Sequence, residues 1–303
     1  MTGTAIIYNP QSGTGDHEDA VKSRADLSGY TLMRSEEAGE AVTLTEEAIE
    51  AGYSTIVAGG GDGTINEVLQ GIDQADAFDD VTFGILPLGS GNNFAKQIGI
   101  ADLEAAFTAL EEGPRRPVDI GMASDRPFIN SCVAGLTATS VDETSGELKS
   151  RIGGLAYVLT TIQTVTEFEP LQLSVDHERS DGKTLTWSGD ALCVMAGNAR
   201  QFAADGTRQG NMEDGLFEVV IVKDVPAYDL MSDTVLERLL GHDSAHIERF
   251  KASELDIRGH SSDPIRFSMD GEVIQARDLS LSVRPGILQL VVGEGYEPAP
   301  GDT

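Results

Sequence analysis

The chain has 303 residues, 40% of them hydrophobic and 34 of them glycine. That is enough for two domains with separate cores, and it is not the composition of a disordered or fibrous chain. Against 21 basic residues stand 50 acidic ones, a net charge of −29, which excludes a surface built for free nucleic acid, where affinity rests on neutralising phosphates.

The acids are scattered rather than run together, so they read as a solvated coat suited to high salt, a halophilic signature. Cys132 and Cys193 sit in apolar runs without metal or redox spacing and are expected to be buried free thiols of a reducing compartment. The N-terminal MTGTAIIYNP lacks a signal peptide's basic region and long apolar core, and no apolar run reaches membrane-span length. A cytoplasmic location is expected.

In chain order, residues 5–8 form a short apolar strand that ends in the turn-rich loop Asn9-Pro10-Gln11-Ser12-Gly13-Thr14-Gly15. Residues 30–34 read as the next strand, ending at Ser35, and residues 39–52 as a helix whose buried stripe is Ala41, Val42, Leu44, Ala48 and Ile49. The third strand, residues 55–58, stops at Gly59, Gly60 and Gly61; Asp62, Gly63 and Thr64 follow, and Ile65, Val68, Leu69 and Ile72 then recur at helical spacing. A strand that empties into glycines and opens a helix offers unpaired backbone N–H groups and a positive dipole end, which is what phosphate needs. Asp62 beside that phosphate implies a divalent cation between them. No G-x-x-x-x-G-K-[ST] occurs, so this is not a Walker loop.

A fourth strand, residues 81–86, ends in a second small-residue loop, Pro87-Leu88-Gly89-Ser90-Gly91-Asn92-Asn93, before a helix-like run at 94–98 and a helix at 103–111. Two strand–glycine loop–helix units predict one parallel sheet with both loops at the same edge. Residues 113–117 read as a linker, and Val118-Asp119-Ile120-Gly121 as the start of a transition.

Beyond about residue 127 apolar alternation replaces helical periodicity at 171–175, 185–187, 191–196, 217–222, 255–257, 265–269, 279–283 and 287–292. Turn signals separate these runs at Asp181-Gly182, Asp214-Gly215, Asp270-Gly271 and Pro285-Gly286. The pattern predicts an antiparallel sandwich, interrupted by helices near 152–167 and 227–240, with a frayed acidic tail at 294–303. His242 and His246 stand at i, i+4 in a polar stretch and read as surface.

Taken together, the Asn9-Pro10 loop with Ser12-Gly13, GGGDGTINE at 59–67, PLGSGNNFA at 87–95, VDIG at 118–121, EDGLFEV at 213–219 and MDGE at 269–272 resemble the diacylglycerol kinase catalytic family, in its bacterial and archaeal lipid kinase branch related to sphingosine kinases. The first glycine loop alone also suits NAD kinases and phosphofructokinases; the second loop and the late MDGE separate the lipid kinases. The resemblance implies an α/β nucleotide-binding domain (1–125) followed by a β-sandwich domain (126–293), with the active site in the cleft between them. It implies ATP on Asn9, Ser35, Gly60, Gly61, Asp62, Gly63, Thr64, Ile65, Asn66, Glu67, Ser90 and Asn92. Mg²⁺ would be organised by Asp62, with Asp119 in the same network, and a structural Mg²⁺ would sit at Asn211, Asp214 and Leu216, with main-chain oxygens contributed by Asn211 and Leu216. Asp270 resembles the general base and Glu272 its neighbouring acid. Asn93 departs from the family, many of whose members carry Asp there, so it is expected as a contact and not as a charged ligand.

Phosphoryl transfer needs positioning and charge neutralisation above all, plus a carboxylate to take the acceptor's proton. The expected reaction is ATP- and Mg²⁺-dependent phosphorylation of a lipid alcohol, diacylglycerol-like or long-chain-base-like, by a chain that touches the membrane surface transiently and could form a homodimer. NAD kinase-like chemistry on a soluble dinucleotide and a catalytically inactive nucleotide sensor are the alternatives. Asp-Gly is also the commonest two-residue hairpin turn, so Asp270 and Asp214 each carry a turn-only reading.

Overall fold

The computed structural model describes residues 3–135, 170–178, 184–203, 206–224 and 246–300. The helices expected near 152–167 and 227–240, the turn at Asp181-Gly182 and the His242 member of the histidine pair lie outside the described residues. The chain divides into two compact units, Met1–Ile120 with Pro285–Ala299, and Gly121–Arg284 with Pro300–Thr303.

The first unit runs β1 (Thr4–Tyr8), α1 (Glu18–Ser28), β2 (Thr31–Arg34), α2 (Glu40–Glu50), β3 (Thr55–Gly60), α3 (Asp62–Gln74), β4 (Thr82–Pro87), α4 (Asn93–Gln97) and α5 (Leu103–Glu112), then enters β5 (Arg115–Ala123). β1 pairs in parallel with both β2 and β3, and β3 pairs in parallel with β4. Ala5–Tyr8, Ile56–Ala58 and Phe83–Leu86 are buried without alternation, the mark of strands covered on both faces. α3 presents Ile65, Val68, Leu69 and Ile72 to this core, each at most 2% exposed. Complete burial of side chains of this size contributes about 1.5–3 kcal/mol apiece.

The second unit continues with β6 (Arg126–Phe128), β7 (Ser131–Gly135), β8 (Leu171–Glu178), β9 (Thr184–Gly197), β10 (Arg200–Ala203), β11 (Gly206–Gln209), β12 (Phe217–Lys223), β13 (Ile247–Ala252), β14 (Glu254–Gly259), β15 (Ile265–Met269), β16 (Glu272–Ala276) and β17 (Asp278–Val291). The long β9 serves two antiparallel arrays. Its first half pairs β8, β8 pairs β14, and β14 pairs β17. Its second half pairs β12 on one side and β7 on the other, with β13, β15 and β16 completing that array. Leu173, Val175, Leu255, Ile257, Leu279 and Leu281 from the first array share one apolar core with Cys132, Ala196, Phe217, Val219, Phe267 and Met269 from the second. This is the expected β-sandwich.

Several boundaries differ from the sequence reading. The segments 185–187 and 191–196 are one strand, as are 279–283 and 287–292. Pro285-Gly286 therefore makes no turn: the strand continues through a left-handed Gly286 (φ 59°), whose N–H donates to Asp119 Oδ1 at 2.7 Å. The linker at 113–117 already contains the start of β5. The first unit ends at residue 120 rather than 125 and regains 285–299, because the end of β17 pairs in parallel with β4. Nor is the start of the tail frayed: Tyr296 is 9% exposed, and its N–H donates to Gly293 O at 3.2 Å.

Candidate functional site

In a parallel sheet all strands point the same way, so the loops after β1, β2, β3 and β4 emerge at one edge. Backbone bonds knit them there: Asn9 N–H donates to Gly59 O at 2.9 Å, Ser35 N–H to Tyr8 O at 2.8 Å, and Leu88 N–H to Gly60 O at 3.0 Å. A Cβ on Gly89 would lie 2.5 Å from Gly61 Cα, so the two glycine loops touch backbone to backbone, a distance only glycine permits. Together they enclose a cavity of about 400 Å³, whose walls include the expected Asn9, Ser35, Gly61, Gly63, Thr64 and Glu67. That volume lies within the range of small-molecule sites.

α3 starts at Asp62, with Gly61 as an extended N-cap that offers no side-chain capping bond. The first-turn N–H groups thus have no side-chain acceptor at the N-cap, the arrangement in which a helix N-terminus receives an anion. Asp62 and Thr64 are not N-caps. Asp62 Oδ2 instead accepts from Asn93 Nδ2 at 3.3 Å and Oδ1 from Phe94 N–H at 3.4 Å, tying α3 to the start of α4.

The remaining nucleotide candidates divide by direction. Ile65 and Asn66 are each 2% exposed and turn into the unit, with Asn66 Oδ1 accepting from Gln70. Gly60 lies under Thr64. Ser90 is exposed on the second loop. Asn92, left-handed at φ 50°, accepts from Gly89 N–H at 2.8 Å and donates to Pro87 O at 3.2 Å, so its amide shapes the loop. Asp119 is 1% exposed, and Gly286 N–H donates to its Oδ1.

Glu36 and Glu37 also line the cavity, and sequence reasoning missed them. They occupy the irregular stretch between β2 and α2, where periodicity says nothing. Their N–H groups both donate to Glu40 Oε2, at 2.5 and 3.2 Å, and these bonds hold the Glu40 carboxyl below its ordinary value. Glu67 Oε1 accepts from Gly39 N–H at 3.0 Å, which fixes the other end of the same loop.

In the second unit, Asp270 and Gly271 (φ 48° and 101°) make the two-residue turn between β15 and β16, as Asp-Gly predicts. The turn aims the Asp270 carboxylate at a row of backbone donors. Ile129 N–H reaches Oδ2 at 2.7 Å, while Asn130 and Ser131 N–H reach Oδ1 at 3.0 and 2.8 Å. Asn198, fully buried, braces that row from behind: its N–H donates to Asn130 O and its Nδ2 to Ile129 O. Glu272 is half-buried opposite Met269. Burial, with the Asp270 charge adding to it, pushes the Cys132 thiol far up, and burial pushes Cys193 up to about 12.

The two expected Mg²⁺ positions differ in fit. Asp62 is a half-buried carboxylate beside a phosphate-sized glycine loop, and Mg²⁺ is commonly held by one or two carboxylates plus substrate phosphates. At the Asn211–Leu216 turn the one expected carboxylate, Asp214, is already engaged on both oxygens. Leu216 N–H donates to Asp214 Oδ1 at 3.1 Å, and the Lys251 ammonium lies 3.2 Å from Oδ2. Among the described residues no group of three or more His, Cys, Asp or Glu could hold a metal, and no helix is long and apolar enough to cross a membrane.

Comparison with known proteins agrees with this construction. The family described as "Diacylglycerol kinase catalytic domain" matches residues 4–123, and that described as "YegS C-terminal NAD kinase beta sandwich-like domain" matches residues 130–292. A protein of Pseudomonas aeruginosa called "Probable lipid kinase YegS-like" is 31% identical over 293 residues, covering 96% of this chain and 94% of its own. A namesake in Pseudomonas putida is 33% identical over 294 residues, covering 96% and 95%. A crystal structure of a putative diacylglycerol kinase from Bacillus anthracis superposes with a TM-score of 0.76 at 22% identity, over 97% of this chain and 96% of that one. With an α/β domain that gathers glycine loops at one sheet edge and a β-sandwich that presents the MDGE turn, the chain belongs to the YegS-like lipid kinases of the diacylglycerol kinase family.

Proposed function

We propose that this chain is an ATP-dependent kinase that transfers the γ-phosphate to the hydroxyl of a lipid alcohol, diacylglycerol-like or long-chain-base-like. The observation that carries the reading is the meeting of three glycine-containing loops in one cavity at the open N-terminus of α3. The glycine loops offer backbone N–H donors and little side-chain bulk, a setting for phosphate oxygens, while Glu36, Glu37 and Glu67 stand on the cavity's other walls. In this reading the N–H groups of 61–64 receive phosphate oxygens, and Asp62, in the first turn of α3, would hold Mg²⁺. Bound Mg²⁺ would neutralise charge on the terminal phosphates. The acceptor oxygen bonds to the γ-phosphorus as the bond to the bridging oxygen breaks and ADP leaves. Asp270 takes the proton. Three N–H donors fix the position of its carboxylate, and little proton transfer is needed early when the transition state is loose. The lipid reaches the enzyme from a membrane surface, with the chain binding there from the cytosol.

The test is transfer of labelled γ-phosphate from ATP to a total lipid extract, with NAD as a parallel acceptor. Label in an organic-phase product, lost in Asp62→Asn, is the expected result. Label on NAD alone, or ATP binding without transfer to any lipid, refutes the proposal.

A further inference from the structure

The turn at 211–216 carries a feature that the lipid kinase reading does not use. Glu218 on β12 and Lys251 on β13 are direct cross-strand partners. The Lys251 ammonium lies 2.9 Å from Glu218 Oε1 and 3.2 Å from Asp214 Oδ2, so it bridges a strand carboxylate and a turn carboxylate. All three side chains are largely shielded, at 27%, 17% and 24% exposed for Lys251, Glu218 and Asp214. The strand register places Lys251, so the ammonium does not depend on a chance rotamer of a loop residue.

Asp214 Oδ1 accepts from Leu216 N–H, and the main-chain oxygens expected of Asn211 and Leu216 are neutral, so Asp214 is the one expected charged ligand and Lys251 already neutralises it. A divalent ion at Asp214 would have to displace the ammonium from one oxygen and then remain beside it. Mg²⁺ also gives up its water reluctantly. A lysine ammonium supplies the same neutralisation as a point charge with three donors. We infer that Lys251 is the resident cation of this turn, and that the second unit holds residues 211–216 without a divalent ion. The family resemblance implies Mg²⁺ there; in this chain Lys251 takes its place.

Thermal unfolding of the full chain, free of nucleotide and at constant ionic strength, tests this in EDTA against MgCl₂. The Asp62→Asn background removes the other candidate metal ligand. With Lys251 present, the midpoint should be the same in both conditions. Lys251→Met should lower the midpoint in EDTA by about 2–4 °C, and Mg²⁺ should recover most of that loss as the vacated carboxylates take the ion. Should Lys251→Met fail to fold, the comparison in EDTA of the chain that keeps Lys251, repeated with Lys251→Arg, decides alone. A midpoint that falls in EDTA with Lys251 in place, or a Lys251→Met chain indifferent to Mg²⁺, overturns the inference.

Discussion

Asp270 gives both carboxylate oxygens to the amides of 129–131, which lie up to 141 positions away in the chain. Asp270→Asn would turn an NH₂ group against one of those donors, and charge-assisted bonds of this kind are worth more than neutral ones. The variant should lose about 2–4 kcal/mol of stability as well as its turnover. Urea unfolding and kcat measured below the unfolding range read the two losses separately. Asp62→Asn should leave the urea midpoint nearly unchanged and lower kcat by about 10²-fold. The buried thiols make a pH prediction. Both folded-state values are raised, so the unfolded chain loses its thiol protons first as pH rises through about 8.5. Stability from the neutral thiols is therefore complete below that pH and declines above it, by about 1.4 kcal/mol per pH unit for each cysteine until the folded value is reached. Urea midpoints between pH 8 and 10, compared with Cys193→Ala, check this. Motif reading named Asp62, Asp270 and Glu272 by their place in the chain. It could not show where their carboxylates point, because the partners of Asp62 and Asp270 come from a different loop and a different strand pair.

The element most exposed to a single change is the contact between the loops after β3 and β4. A methyl group on Gly89 would meet the Gly61 backbone at 2.5 Å, and neither side of that contact is a flexible side chain. Gly89→Ala should part the loops and raise the KM for ATP by about tenfold or more, with little change in the KM for lipid; initial rates with each substrate varied in turn check it. Convergence of the two loops was legible, because two parallel βα units must end at the same edge. Elements without a strong period were not. α1 buries only Val21 and Ala25 of its 11 residues, which leaves almost no stripe to read. β13 carries Glu248, Arg249 and Lys251 among its apolar residues, and its place was settled by pairing with β12. β9 and β17 read as two strands each, since Ser188-Gly189-Asp190 and Pro285-Gly286 are turn-forming residues that a long strand here accommodates. Turn chemistry states what the backbone can do, and strand pairing decides whether it does so.

At the scale of the whole molecule, the sequence changes texture near residue 127, where strand alternation replaces helical period, and the second compact unit begins at Gly121. The return of 285–299 to the first unit left no such mark, because its evidence is a parallel pair between β4 and β17 some 200 positions apart. Charge, by contrast, is fully legible, and it reaches the site. The cavity is lined by Glu36, Glu37 and Glu67, and none of the described residues lining it is Lys or Arg. The nearby cations are already engaged: Arg34 lies 2.7 Å from Glu18 and 3.9 Å from the rim's own Glu36, and the Lys96 ammonium donates to Gly91 O at 2.8 Å. The triphosphate of the proposed reaction would therefore approach an acidic rim on a chain of net charge −29, and repulsion would oppose its binding until salt screens it. The Debye length is about 8 Å at 0.15 M salt and about 3 Å at 1 M, so screening at high salt acts within the dimensions of the cavity. The KM for ATP should fall by about tenfold as KCl rises from about 0.15 M to about 2 M, the reverse of a site that relies on lysine and arginine. The variant carrying both Glu36→Gln and Glu37→Gln should start from a lower KM in dilute salt and lose most of this dependence. Circular dichroism at each salt concentration separates weak binding from unfolding. A KM that rises with salt, or a double variant with the same salt slope as the parent chain, would show that the acidic rim does not govern nucleotide entry.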